Sequence, residues 1–257
     1  MTITKIKILK SKVVIYIDNE KLELDKEVYP NFYLYKGKEI SKKEYNNIKE
    51  YNEVATLLSY ALRIRSKSIY SEYKMREKLY DKGGTKKSVD KVISTLKSYD
   101  LIDDKAFALY YVEYCNSLNY GKNKIVSKLK DKGIFEDVID KLSFPTSEEK
   151  RKAKALLPKL EKKYDKYNVS QKKQHIYDAY LNLGFSGDLA SEMVGSTKNE
   201  VNPKEEYKKL EKDYEKALTR LSRKYQKKEL RQKVLQALLS KGYKMNDVIS
   251  IIERKSL

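Results

Sequence analysis

At 257 residues, 40% of them hydrophobic, the chain is long enough for one large or two ordinary domains with a real core. Fifty-six Lys and Arg against 37 Asp and Glu leave a formal charge of +19, which points to a polyanionic partner such as DNA, RNA or an anionic nucleoprotein. A single cysteine rules out an internal disulfide, and with no apolar run of about 18 residues and no charged-then-apolar leader at Met1 the chain is expected to be cytoplasmic, without a membrane partner.

The first forty residues read as β structure. Lys5-Ile6-Lys7-Ile8 alternates, Val13 to Ile17 is an apolar run, and a turn at Asp18-Asn19-Glu20 leads to Leu22 and Leu24, spaced by two. This pattern predicts a small antiparallel ribbon over residues 1–40. Pro30 and Gly37 break it. From about Glu44 the period becomes helical, with Val54, Leu57, Leu58, Ala61 and Leu62 on one face. Ser71 is an N-cap for a helix carrying Met75 and Leu79. The segment Leu101-Ile102-Asp103-Asp104 supplies two packing residues and a helix start, Asp103 and Asp104 serving the orphan amides and the positive dipole end; Phe107, Ala108, Tyr111 and Val112 follow. Cys115, among Tyr111, Val112 and Leu118, reads as a buried apolar residue.

A self-similar block is the more informative feature. A helix ends at glycine and a short apolar helix follows: Leu79 to Gly83 before Val89, Val92, Ile93 and Leu96, and Leu129 to Gly133 before Val138, Ile139 and Leu142. Weaker copies run Tyr180 to Gly184 before Leu189 and Met193, and Leu238 to Gly242 before Val248, Ile249 and Ile252. The four glycines lie 50, 51 and 58 residues apart. Each suits a left-handed C-cap, which only glycine adopts without a Cβ clash. Four repeats follow, over residues 44–102, 103–145, 147–195 and 203–257, each with a long, a medium and a short helix. A lone trio cannot bury its apolar faces, so the fold class is mainly α: tandem three-helix repeats stacked into a curved, elongated array behind the β ribbon. Pro158 is expected to kink or delay the first helix of the third repeat, and Gly195 to Pro203 reads as a linker.

No catalytic, metal or cofactor constellation emerges. Asp100, Asp103 and Asp104 lack the companion acid, base or histidines of a metal-dependent nuclease, His175 is alone, and Gly83-Gly84 follows no strand of a nucleotide fold. Coiled-coil heptads through 204–233 do not extend beyond about two or three, so a monomer is expected. The cations are better placed. Arg63, Arg65 and Lys67 form one run, and Lys122, Lys124, Lys128, Lys130 and Lys132 a second. Arg220, Arg223, Lys224, Lys227 and Arg231 form a third, at helical spacings beside an apolar line through Tyr214, Leu218, Leu221 and Tyr225. Ten of these, Arg63, Arg65, Lys67, Lys122, Lys124, Lys128, Arg220, Arg223, Lys227 and Arg231, are the candidate contacts to DNA or to a DNA-bound protein. A basic DNA-binding repeat protein acting alone is the alternative that charge by itself supports.

Tyr60-Ala61-Leu62, Ser71, Leu79, Gly83, Val92-Ile93, Leu101-Ile102-Asp103-Asp104, Phe107-Ala108, Tyr111-Val112, Gly121, Ile125, Leu129 and Lys132-Gly133-Ile134 together resemble the RecX regulators of the bacterial recombinase RecA. The specific core spans about residues 54–142. There are departures: Lys74 where the family carries an acid three after the capping Ser, Ser68 where it carries a base, and Asp100 where glycine is common. The resemblance implies a modulator that binds in the groove of the RecA filament on single-stranded DNA and blocks its growth or promotes its loss.

Overall fold

The computed structural model describes residues 1–18, 20–197 and 202–255. The turn expected at Asp18-Asn19-Glu20 therefore lies partly outside the described residues, as does the Gly195 to Pro203 linker. Strands β1 (Ile3–Ile8), β2 (Lys12–Ile17) and β3 (Glu20–Asp25) pair antiparallel in that order. The period of two places Val13, Ile15 and Ile17 on one face of β2. There they share a core with Leu24, with Val28 of a short helix α1 (Val28–Asn31), and with Ile48 and Ala55 of α2 (Lys42–Arg65). The ribbon is thus a cap on α2. That explains the length of α2: it closes the ribbon core as far as Ala55, and beyond it Leu57 and Ala61 close the core of the first repeat. Ser41 starts it, accepting the Glu44 amide at 3.1 Å.

The remaining helices come in trios. In the first, α2 is followed by α3 (Glu72–Asp81) and α4 (Lys86–Ser98); in the second stand α5 (Asp104–Ser117), α6 (Lys122–Asp131) and α7 (Glu136–Ile139). The third holds α8 (Thr146–Lys163), α9 (Val169–Asn182) and α10 (Gly187–Gly195), and the fourth α11 (Pro203–Leu221), α12 (Lys227–Leu239) and α13 (Met245–Arg254). The expected long, medium, short order fails in the first trio, where α4 has 13 residues and α3 has 10. Val89, Val92, Ile93 and Leu96 give α4 a full buried stripe, which sustains the extra turn. Helix α8 is not delayed by Pro158: it starts directly after Pro145 and runs through Pro158 to Lys163. By packing, the chain forms two compact units, Met1–Tyr111 with Lys128–Leu142, and Val112–Ser127 with Ser143–Leu257, so the second trio is divided between them.

Within these units one joint recurs. The N-terminus of the middle helix of a trio meets the C-terminus of the middle helix of the next, so positive and negative dipole ends face each other. In unit 1, Ser71 Oγ donates to the Lys132 carbonyl at 2.6 Å, and the Glu72 amide donates to Asp104 Oδ1 at 2.8 Å. In unit 2, the Gly121 and Asn123 amides donate to the carbonyls of Leu183 and Gly184 at 2.8 and 3.0 Å, and the Lys122 amide to Glu149 Oε2 at 3.0 Å. Again in unit 2, Asn168 Nδ2 donates to the Lys241 carbonyl at 3.0 Å and the Val169 amide to Glu206 Oε1 at 3.0 Å. Each time, a carboxylate from the first turn of the next trio's first helix satisfies the first amide of the preceding middle helix, a contact of about 1 kcal/mol. Close approach demands glycine at the receiving end. Gly133 has φ +76 and Gly184 φ +88, and a Cβ added to either would overlap Tyr73 or the Lys124 backbone.

Candidate nucleic-acid interface

The cations of α3 fall into two classes. Lys74 pairs with Glu77 at 2.6 Å and Arg76 with Glu72 at 2.8 Å, both within α3, and Arg76 also pairs with Asp90 of α4 at 2.5 Å, so these charges are neutralised inside the trio. Lys78 and Lys82, one turn apart, have no carboxylate partner among the described residues. Their ammonium groups lie over tyrosine rings instead, Lys78 5.7 Å from the Tyr70 centroid and Lys82 5.8 Å from that of Tyr60. Arg63, also unpaired with any described carboxylate, sits over the same Tyr60 ring at 5.3 Å. The result is a strip on unit 1 in the order Tyr70, Lys78, Lys82, Tyr60, Arg63. Tyr60 and Tyr70 are half-buried, and Arg63 and Lys82 are exposed.

The other cations of the first run have different surroundings. Arg65 is half-buried, its Nε donating to the Leu101 carbonyl at 2.8 Å, which fastens the end of α2 to the segment after α4. Lys67 is exposed in the turn after α2. In the second run Lys122 is exposed, with its ammonium 5.7 Å from the Phe144 centroid. Lys124 donates to the Asn182 carbonyl at 2.9 Å, at the negative end of α9, and stacks on Tyr120 at 4.7 Å. Lys128 is half-buried, and Lys130 pairs with Glu136 at 2.5 Å.

The third run is not on one helix. Its spacing and the apolar line from Tyr214 to Tyr225 suggest continuity, but α11 stops at Leu221 and α12 begins at Lys227, so the cations straddle a helix–helix corner. Arg220 lies at the end of α11, Arg223 and Lys224 in the turn, and Lys227, with φ +47, at the start of α12; all four are exposed. Arg231 lies 3.8 Å from Glu253. Tyr225 turns back onto the core of the trio, where it packs with Leu218 and Leu221.

The structural motif residues fall at helix ends. Ser71 accepts the Lys74 amide at 3.3 Å and Asp103 the Lys105 amide at 2.7 Å, while Phe107 is buried. Gly83, Gly133, Gly184 and Gly242 all have positive φ. Asp104 does more than favour its own helix, because it reaches back to Glu72. Burial, with the nearby Glu72 and Asp103 charges, pushes its carboxyl above the ordinary aspartate range, although the Glu72 amide opposes this. Asp100, in the position where glycine is common, takes φ +53. His175 stacks on Tyr164 with centroids 5.3 Å apart and lies tilted against Tyr167 at 4.3 Å, and Cys115 is fully buried. Among the described residues there is no cluster of three metal-ligating side chains, and no helix is long and apolar enough to cross a membrane.

Sequence reasoning missed two features. Lys152, inside a lysine-rich stretch, is 1% exposed and pairs with Glu149 at 2.5 Å while donating to Asn116 Oδ1 and the Tyr120 carbonyl at 2.9 and 2.7 Å. Lys78 and Lys82 were also missed; their four-residue interval on a short helix was the available signal.

No family model matches the chain. It is 30% identical to Regulatory protein RecX of Lactococcus lactis subsp. cremoris over 243 residues, covering 92% of this chain and 90% of that protein. Regulatory protein RecX of Streptococcus uberis is 27% identical over 259 residues, 98% of each chain. Among solved structures, a crystal structure of regulatory protein RecX matches with TM-score 0.60 and 26% identity, over 76% of this chain and 99% of that one. RecX from Lactobacillus salivarius, at 23% identity and TM-score 0.50, shares the fold over 56% of this chain and 95% of its own. With this similarity running through nearly the whole length of the repeat array and its ribbon, the chain belongs to the RecX family of regulatory proteins.

Proposed function

We propose that the protein modulates the RecA recombinase by docking on the RecA filament formed on single-stranded DNA and limiting the growth or activity of that filament. The observation that carries this reading is the presence, in a RecX family chain of net charge +19, of cations left without carboxylate partners among the described residues: Arg63, Lys78 and Lys82 in unit 1, and Arg220, Arg223 and Lys227 at the corner of unit 2. Cations committed to internal pairs, such as Arg76 and Lys152, are separate from these. Free cations attract an acidic filament and exposed phosphates and fix its orientation without reading sequence. On this reading the protein acts as a cytoplasmic monomer, by binding and without a cofactor.

The test is a titration of RecA ATPase on single-stranded DNA. Substoichiometric protein lowers the ATPase rate and shortens the filaments. Unchanged ATPase and filament length at excess protein would overturn the proposal.

A further inference from the structure

We infer that the strip Tyr70, Lys78, Lys82, Tyr60 and Arg63 is a track for single-stranded nucleic acid itself, with bases on the tyrosine faces and phosphates on the three cations. This deepens the filament reading by naming the component that this face meets. Three observations support it. First, each ring in the strip carries a cation whose charge no described carboxylate neutralises, whereas Lys74, over Tyr73 at 5.0 Å, is paired with Glu77 and lies outside the strip. Second, the spacing is set by rigid elements. Lys82, the C-cap of α3, follows Lys78 by about one turn, about 6 Å along the axis. Tyr60 and Arg63 are three apart on α2, so the two cation–tyrosine groups are held in fixed succession. Third, flat rings and positive heads lie side by side along the strip, which suits a strand whose bases are unstacked. On this inference the cations over the half-buried Tyr60 and Tyr70 rings move to the phosphates and yield the ring to a base when the strand arrives. A duplex keeps its bases inside and cannot use the rings. An acidic protein surface would use the cations but not the ring faces.

The experiment uses the full-length protein without RecA, with fluorescence anisotropy of labelled oligothymidylate, an abasic strand of equal length and a duplex. Oligothymidylate is expected to bind at least about tenfold tighter than the abasic strand, since each base stacked on a ring raises the affinity several-fold. Tyr60→Leu/Tyr70→Leu removes most of that preference, and Tyr60→Phe/Tyr70→Phe retains it, which separates loss of stacking from loss of folding. Lys78→Gln/Lys82→Gln weakens binding to both strands and lowers the salt slope by about 1.4. Equal affinity for the abasic strand, duplex binding as tight as oligothymidylate binding, or no effect of the Leu pair would each overturn the inference. If the Leu pair leaves naked-strand binding intact but abolishes the effect on RecA ATPase, the strip meets protein: this inference then fails while the filament reading stands.

Discussion

The hydroxyl of Ser71 donates to the Lys132 carbonyl at 2.6 Å and accepts the Lys74 amide at 3.3 Å, so one side chain starts its own helix and holds the end of another 61 residues away. Ser71 is fully buried, which leaves no water to replace either partner. Ser71→Ala is expected to cost about 1–2 kcal/mol in urea unfolding, more than loss of an exposed cap such as Ser41. Asn168→Ala, at the corresponding joint of unit 2, should cost a similar amount. A Ser71→Ala loss no greater than that of Ser41→Ala would show that the reach to Lys132 contributes nothing.

Glycine positions differ in a way that ranks substitutions. Gly133→Ala places a methyl into Tyr73 on a backbone with φ +76 and should cost more than about 2 kcal/mol. Gly195→Ala, at the end of α10 with open space around it, should be neutral or stabilise by up to about 1 kcal/mol. Thermal unfolding of the two variants checks the order.

Asp100 accepts a left-handed conformation that costs L-residues roughly 1–2 kcal/mol, because the Asp100 and Leu101 amides close the end of α4 onto Lys97 and Leu96. Asp100→Gly should therefore stabilise by about 0.5–1 kcal/mol, the entropy of the unfolded glycine offsetting part of the relief. An unfolding midpoint unchanged or lowered in urea would contradict this.

What could be read from sequence follows from distance along the chain. The capping bonds of Ser71 and Asp103 and the positive φ of the four repeat glycines lie within one turn of where these residues sit, so spacing reveals them, whereas the reach of Ser71 to the Lys132 carbonyl leaves no local trace. Asp104, Glu149 and Glu206 also look like local dipole partners, yet their oxygens serve amides 32, 27 and 37 residues earlier. Nothing local distinguishes the two roles. Burial of Lys152 depends on Asn116 and the Tyr120 carbonyl from the preceding trio, so its lysine neighbours disguise it. Pairing of Lys82 with Tyr60 likewise depends on how α3 packs on α2. The cationic corner at Arg220 to Lys227 was hidden by a period that persists through the turn while the backbone does not.

Alkaline pH probes the core of the third trio. Tyr180 is fully buried and donates to the Ala153 carbonyl at 2.8 Å, and burial pushes its phenol from 10.0 up to about 12. Because the folded value is the higher one, this contribution to stability is intact below pH 10 and is lost as the pH rises to about 12, by about 1.4 kcal/mol per pH unit. Tyr180→Phe should flatten that part of the stability profile, leaving the part due to Tyr243, which burial also pushes up. Urea midpoints between pH 9 and about 12 test this, and an unchanged slope in the variant would contradict it.

The central claim is that the unpaired cations serve a nucleoprotein filament and not any polyanion. Its most direct test is binding of the labelled protein to preformed RecA filaments on single-stranded DNA and to the same DNA naked, at one salt concentration. Tighter binding to the filament, weakened when Arg220, Arg223 and Lys227 are changed to Gln with helical content preserved, is the predicted result. Binding to naked DNA that equals or exceeds binding to the filament would contradict the account.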